Sequence, residues 1–301
     1  MKVYGSIEAG GTKIVCLIAK SSTKILDQWV IQTEMPEMTL NATVAYFKGM
    51  LLQHPEWQLQ SIGIASFGPI DLTLTSKTYG FIQQTPKPGW AGTDLVGFIQ
   101  REMGVPVYLD TDVGGAALAE YTLGAGKEKN SLIYLTIGTG IGGAYIHYGK
   151  NIYGIHHAEY GHMKVPRIPD DAYRGGCPFH DDCLEGMASG PAMLKRWGIP
   201  ADQLPMDHPG WDYEAAYLGQ AVINLIYTLS PEIIVLGGGV MNHAGLIDKV
   251  QDFVHANMNA YCQPAAYRTE IRSTIVLPQC GNIAGAIGGL ILAENRLKAK
   301  K

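Results

Sequence analysis

Two glycine-rich turns are the part of this sequence best suited to chemistry. Residues 8–13 read Glu-Ala-Gly-Gly-Thr-Lys and residues 138–143 read Gly-Thr-Gly-Ile-Gly-Gly, each between two runs patterned like strands. Glycine lets main-chain amides approach phosphate oxygens, because no Cβ intervenes and positive φ costs little. Either cluster alone could be an ordinary hairpin turn, but two together, each with a threonine, favour phosphate binding. The predicted phosphate-binding residues are Gly10, Gly11, Thr12, Gly138, Thr139 and Gly140.

Other nucleotide-binding motifs fit less well. Gly138, Gly140 and Gly143 have the G-x-G-x-x-G spacing of dinucleotide-binding proteins, but that motif needs a helix directly after the glycines. Residues 144–148 alternate like a strand instead, and the Walker phosphate-loop motif does not occur in the sequence. Both predicted phosphate sites therefore lie on β-hairpins.

Cysteine and histidine side chains form a candidate metal site. Cys177, His180 and Cys183 follow one another at three-residue intervals, and His162 lies fifteen residues before Cys177. Zinc takes four such ligands tetrahedrally, and a closed set of protein ligands is usually structural. The alternative is a chance loop with two free thiols. The spacing predicts one structural zinc ion.

Composition limits the classes of partner. The 301 residues carry a formal charge of −4, with 47% hydrophobic and 17% charged residues, which is typical of a compact soluble protein of two domains. The only basic stripe is the terminal one of Lys298, Lys300 and Lys301, so nucleic acid and membrane surfaces are poor partner candidates. A signal peptide and a long apolar run are both lacking, and the predicted location is cytoplasmic.

The other cysteines are interpreted as packing residues. Five cysteines are an odd number, which argues against a disulfide framework in a reducing compartment. Cys16, Cys262 and Cys280 stand apart from the Cys/His cluster, and we interpret all three as small hydrophobic residues.

The predicted element order positions these motifs. Three strands, a helix, a strand, a helix, a strand and a helix fill the first 124 residues, and a second hairpin begins at residue 131. This order indicates mixed α/β sheets in two related halves. Asp112 follows the strand-like run 105–109, which would aim its carboxylate into a cleft as a general base. The alternative role is an N-cap of a helix over 114–124, while Asp110 is expected to serve the cap or face solvent.

Taken together, these motifs resemble those of the ROK family of sugar kinases and regulators, and they occur in the order expected for that family. Within the family, the chain looks most like the bacterial fructokinases. The resemblance spans the chain from the first strand to the last helix. Its motifs are Glu8–Lys13, Gly63–Pro69, Asp112, Gly138–Gly143, Glu159–His162, the Cys/His cluster, Gly237–Gly239 and Gly281–Gly285.

The resemblance implies a fold class. It is α/β, with two ribonuclease-H-like domains of the actin and sugar-kinase type and an active-site cleft between them. The predicted domains are residues 1–117 and residues 118–301, the second carrying the zinc loop. The last helix is expected to be able to pack back on the N-terminal domain.

The resemblance also implies residue roles. Asp112 matches the catalytic base, and Glu159, His162 and Glu185 match the sugar contacts, with His162 serving both sugar and zinc. His180 stands where the family more often has a cysteine. Glu8 could hold Mg²⁺ through water or form a salt bridge, and Lys13 could neutralise phosphate or face solvent. The implied contacts to the nucleoside are Pro191, Gly237, Gly238 and Gly239.

One departure bears on the sugar. The chain reads Thr111-Asp-Val-Gly114 where the family often reads Asn-Asp-Ala-Asn, so Gly114 lacks a side chain that commonly contacts a sugar hydroxyl. The implied reaction is ATP-dependent phosphorylation of a hexose, D-fructose to fructose 6-phosphate, with Mg²⁺ accompanying ATP and zinc as a structural ion. Alternatives are mannose, glucose or an amino sugar as substrate, a sugar-responsive regulator without a DNA-binding domain, or a non-catalytic sugar-binding protein. A homodimer is expected.

Overall fold

The computed structural model describes residues 1–259 and 264–298. They form two compact units. Unit 1 comprises Met1–Ala119, Tyr153–His157 and the chain from Cys280 onward, and unit 2 comprises Glu120–Ile152 and Ala158–Gln279. A domain boundary between residues 117 and 118 stays a prediction. The expectations for Cys262, Lys300 and Lys301 lie outside the described residues.

Strands and helices alternate along much of the chain. The strands are β1 (Lys2–Ala9), β2 (Lys13–Ser21), β3 (Lys24–Gln32), β4 (Gln58–Ser66), β5 (Val107–Thr111), β6 (Ser131–Ile137), β7 (Ile141–His147), β8 (Lys150–Asn151), β9 (Ile233–Gly237) and β10 (Ile275–Val276). The helices are α1 (Pro36–Gln53), α2 (Leu95–Met103), α3 (Asp112–Leu123), α4 (Leu184–Ala188), α5 (Gly190–Trp197), α6 (Gly210–Leu229), α7 (Leu246–Asn257), α8 (Ala265–Arg268), α9 (Ile271–Thr274) and α10 (Ala284–Lys298). Within the described ranges, none of these helices combines the length and apolar character needed to cross a membrane.

The two units share one sheet topology. Unit 1 has the strand order β3-β2-β1-β4-β5, and unit 2 has the order β10-β9-β6-β7-β8. Written in reverse, the second order is β8-β7-β6-β9-β10, so each strand of unit 2 corresponds to the strand at the same place in unit 1. In each unit three antiparallel strands form a meander, and the later strands join parallel to the first one. The prediction of α/β, ribonuclease-H-like halves is confirmed.

Two strands of the unit 1 sheet, β2 and the edge strand β5, are buried along most or all of their length. Residues 14–19 of β2 and all five residues of β5 are buried, as expected where helices cover both sides of a sheet. The strand predicted over 105–109 is in fact Val107–Thr111, because Asp110 and Thr111 pair with Ala65 and Ser66 of β4. Asp110 and Thr111 are therefore strand residues.

The start of α3 also differs from the prediction. The helix begins at Asp112 rather than Gly114. The Gly114 amide donates to Oγ1 of Thr111 at 2.9 Å, a hydrogen bond of the kind that caps a helix N-terminus. Because Thr111 provides this bond, the alternative role of Asp112 as the N-cap is not supported.

Helix α10 packs against β4 at main-chain distance. A Cβ added to Gly63 of β4 would lie 2.7 Å from the carbonyl carbon of Gly289 and 3.1 Å from the Ala293 amide. Two serine hydroxyls of the sheet donate to carbonyl oxygens of α10, Ser6 to Ala286 at 2.6 Å and Ser61 to Ala293 at 2.9 Å. The helix can approach the sheet this closely because Gly63 and Gly289 have no side chains.

We expect Gly63→Ala to destabilise the protein by about 1–3 kcal/mol, because overpacking against main-chain atoms forces backbone shifts. The matched control is Gly49→Ala in α1, where an added Cβ meets nothing within 4 Å. Alanine favours helix over glycine, so the control should gain about 0.5–1 kcal/mol. Urea denaturation followed by circular dichroism measures both changes, and equal midpoints for the two variants would contradict the close packing.

Candidate functional site

The carboxyl ends of three parallel strands meet at one edge of the unit 1 sheet. Strands β1, β4 and β5 are aligned so that Ala9, Ser66 and Thr111 stand side by side at their ends. In open α/β sheets this edge is the usual ligand-binding side. The first glycine turn follows β1 and Asp112 follows β5, so the structure brings both predicted features to the same edge.

Asp112 has the properties of a base. It is the first residue of α3, and its Oδ1 accepts a hydrogen bond from the Val113 amide at 2.8 Å. The pKa of its carboxyl is raised to about 6, mainly by withdrawal from water and also by the negative charge of Asp110, against the lowering effect of hydrogen bonds from main-chain amides. A carboxylate with a pKa close to neutrality can accept a proton at physiological pH and release it again.

Glu8 contacts a helix. Its Oε2 accepts a hydrogen bond from the Ala286 amide at 3.0 Å, at the start of α10. Burial raises the pKa of its carboxyl to about 6; the bond from Ala286 opposes this rise, the charge of Asp112 adds to it and that of Lys13 opposes it. A Cβ on Gly285 would lie 2.7 Å from Cδ of Glu8, so a side chain at position 285 would displace the Glu8 carboxylate. Neither this contact nor its partner could be read from local sequence.

Asp110 is buried, contrary to the expectation that it serves the helix cap or faces solvent. Its Oδ1 accepts hydrogen bonds from the Thr111 amide at 2.7 Å and from the Tyr153 hydroxyl. A Cβ on Gly114 would lie 2.8 Å from Cγ of Asp110. The carboxylate therefore occupies the space that a side chain at position 114 would need, which explains the glycine there.

The first glycine turn is closed by its own main chain. The Gly10 amide donates to the Lys13 carbonyl at 2.9 Å, and the Thr33 hydroxyl donates to the Gly10 carbonyl at 2.8 Å. The Gly10 amide is thus engaged inside the turn. A Cβ on Gly11 would meet nothing within 4 Å, so the turn is open at that residue.

In unit 2 the predicted nucleotide-binding residues converge on the second glycine turn. The Gly138 amide donates to the Gly140 carbonyl at 2.9 Å, and the Gly138 carbonyl accepts from the Gly190 amide at 2.8 Å. Pro191 follows in the first turn of α5. A Cβ on Gly238 would lie 2.6 Å from the carbonyl carbon of Ile137. The second glycine turn is thereby bordered by the start of α5 at Gly138 and by Gly238 at Ile137.

Glu185 joins the second glycine turn to the predicted sugar site. Its Oε2 accepts a hydrogen bond from the Ile141 amide at 2.9 Å and would lie 2.7 Å from a Cβ on Gly140. Glu159 precedes a 3₁₀ turn at Tyr160–His162, and a Cβ on Gly161 would lie 2.8 Å from the carbonyl carbon of Ile141. Both predicted sugar-binding segments therefore rest on the first residue of β7.

The four predicted zinc ligands lie together. One ligand atom from each of His162, Cys177, His180 and Cys183 falls within 4.8 Å of the others. Nδ1 of His162 is 3.8 Å from Sγ of Cys177 and 3.6 Å from Sγ of Cys183, and Nδ1 of His180 is 3.8 Å from Sγ of Cys177. Tetrahedral zinc with ordinary bond lengths separates a sulfur from a nitrogen by about 3.6 Å. The donor set therefore fits zinc in both chemistry and spacing.

Comparison with known proteins agrees with this geometry. The family model described as ROK family matches residues 4–296. A putative fructokinase of Bacillus subtilis is 42% identical over 99% of this chain and 97% of its own, and the fructokinase of Zymomonas mobilis is 41% identical over 97% and 96%.

Solved structures agree in fold. The ROK hexokinase of Thermus thermophilus superposes with a TM-score of 0.80 at 24% identity, covering 99% of both chains. The ROK family glucokinase of Streptomyces griseus, in complex with glucose and AMPPNP, gives a TM-score of 0.71 at 24% identity over 97% of this chain and 99% of its own. A family model that matches almost the whole sequence, together with relatives above 40% identity over nearly their full length, shows that this chain belongs to the ROK family.

Proposed function

We propose that this ROK family protein is an ATP-dependent sugar kinase that converts D-fructose to fructose 6-phosphate. The observation that carries the proposal is Asp112, a carboxylate with a raised pKa at the sheet edge that also bears the first glycine turn. Relatives named fructokinase are 39–42% identical to this chain, whereas those named glucokinase are 30% and 24% identical. This difference favours fructose over glucose.

The reaction divides its tasks between a base and two phosphate sites. Asp112 takes the proton of the terminal sugar hydroxyl, while the glycine turns hold the triphosphate for in-line transfer. Mg²⁺ enters with ATP, because it is held mainly by phosphate oxygens and water in such sites. The predicted nucleoside contacts at Pro191 and Gly237–Gly239 adjoin the second turn.

Zinc stabilises the sugar-binding side of unit 2. His162, Cys177, His180 and Cys183 hold the ion and supply all four ligands, so its role is structural. Because Nδ1 of His162 faces the sulfurs, Nε2 remains for a sugar hydroxyl beside Glu159 and Glu185. The homodimer and the cytoplasmic location stay predictions.

Substrate choice is tested with an ADP-release assay over fructose, mannose, glucose, glucosamine and N-acetylmannosamine. We expect the highest kcat/KM with fructose. A higher value with another sugar would refute fructose as the substrate, and no ADP release with any of them would refute the kinase assignment.

Asp112→Asn should lower kcat at least ~10²-fold with ATP binding nearly intact, since a positioned base contributes ~10²–10⁴-fold. The base works only when deprotonated, so the activity of the unmodified enzyme should fall as pH drops through about 6, the pKa of Asp112. Asp248→Asn, which removes an exposed carboxylate paired with Arg272, is the control and should leave kcat unchanged. A pH profile that is flat between pH 5 and 8 would rule out this assignment.

Protein purified without chelator should contain one zinc per chain by elemental analysis. Cys177→Ser should lose most of the zinc and raise KM for the sugar before KM for ATP, because residues 177–183 share the ion with His162 and lie next to Glu185. Cys280→Ser, outside the cluster, is the control. Zinc far below one equivalent in the unmodified protein, or an unaltered sugar KM in Cys177→Ser, would show that the loop holds no metal coupled to the sugar.

A further inference from the structure

A lysine that the motifs did not indicate lies at the first glycine turn. The ammonium of Lys87 donates a hydrogen bond to the carbonyl oxygen of Gly11. Gly11 is the residue at which the turn is open, and both residues belong to unit 1. The structure thus places a positive charge at a turn predicted to bind phosphate.

The segment that carries Lys87 is firmly anchored. Pro86 and Pro88 flank the lysine and restrict its backbone. Trp90, three residues on, is fully buried, and its Nε1 donates to the Glu34 carbonyl at 2.9 Å. Its ring packs edge-on against Phe67 with the centroids 5.3 Å apart. Because Phe67 directly follows β4, the lysine is held at the carboxyl edge of the sheet.

The balance of charge at this edge favours a further cation. Glu8 and Asp112 are close enough for the charge of Asp112 to raise the pKa of Glu8, and Lys13 is the cation whose charge opposes that rise. A triphosphate brought to the same edge adds further negative charge. An ammonium group has three donors, and the bond to Gly11 uses one of them. Two donors of Lys87 remain for phosphate oxygens.

We propose that Lys87 is a further catalytic residue, whose ammonium contacts the phosphoryl group as it is transferred. The inference deepens the proposed kinase function and rests on it. In the step, the sugar hydroxyl oxygen bonds to the γ-phosphorus while the bond from that phosphorus to the β–γ bridging oxygen breaks. The proton passes to Asp112, and ADP leaves with the electron pair. Lys87 opposes the negative charge on the phosphoryl oxygens throughout.

The kinetic test is Lys87→Met. Removal of one preorganised donor from a transition state typically lowers kcat by ~10²–10³-fold, and we expect a loss of that order with an unchanged KM for fructose. Lys87→Arg, which keeps the charge, should restore part of the activity. Lys77→Met, at an exposed lysine of the same unit, is the matched control and should behave like the unmodified enzyme. A Lys87→Met variant with unaltered kcat would overturn the proposal.

A binding test separates catalysis from simple support of the turn. Calorimetry with ADP and with AMPPNP, both with Mg²⁺, should show that Lys87→Met weakens AMPPNP binding about tenfold more than ADP binding, because only AMPPNP carries a γ-phosphoryl group. Equal weakening of both, with a lowered Tm, would show that Lys87 only holds the turn in place. If the unmodified protein phosphorylates no sugar, the kinase function fails, and this binding comparison still decides whether Lys87 contacts the γ-phosphoryl group.

Discussion

The close approach of α10 to the sheet is the constraint on which the rest of unit 1 depends. It requires glycine on both sides of the contact, because Gly63 and Gly289 meet at main-chain distance and a Cβ on Gly288 would lie 2.3 Å from the carbonyl carbon of Gly115. At this depth the first turn of α10 reaches the end of β1, where the Ala286 amide binds Glu8. The charge of Asp112 in turn raises the pKa of Glu8. The distance between α10 and the unit 1 sheet thus sets the environment of Asp112, the proposed base.

In unit 2, two segments of the candidate site contact the same strand residue, Ile141 of β7. Ile141 receives the Glu185 carboxylate on its amide, and Gly161 packs against its carbonyl group. Residues 138–140 of the second glycine turn directly precede Ile141. The segments predicted to bind phosphate and sugar therefore meet at Ile141. Cys183, one of the four proposed zinc ligands, lies two residues before Glu185, so the chain links the proposed metal site directly to this contact.

Local patterns predicted what depends on local chemistry. The glycine turns, the Cys/His spacing and the strand-end position of Asp112 follow from residue type and periodicity, and the element order was enough to predict two related halves. Long-range packing decided the rest. The bond from Tyr153 to Asp110 joins residues 43 positions apart, and that from Ala286 to Glu8 joins residues 278 apart. Lys87 and Gly11 are 76 apart. No spacing rule connects such pairs. The sequence therefore could not predict that the Asp110 carboxylate fills the space next to Gly114, or that the Lys87 ammonium lies at the first glycine turn.

The position of α10 in the chain has a consequence for biosynthesis. Strands β1 to β5 leave the ribosome first, but the helix that covers Gly63 and supplies Ala286 follows the whole of unit 2. The strands of unit 1 can therefore pair while their covering helix is still untranslated. Contacts of such sequence separation form slowly and leave apolar surface exposed in the meantime. The first half to be translated thus lacks its last helix until unit 2 has been translated, and the growing polypeptide carries an unfinished sheet that chaperones can recognise.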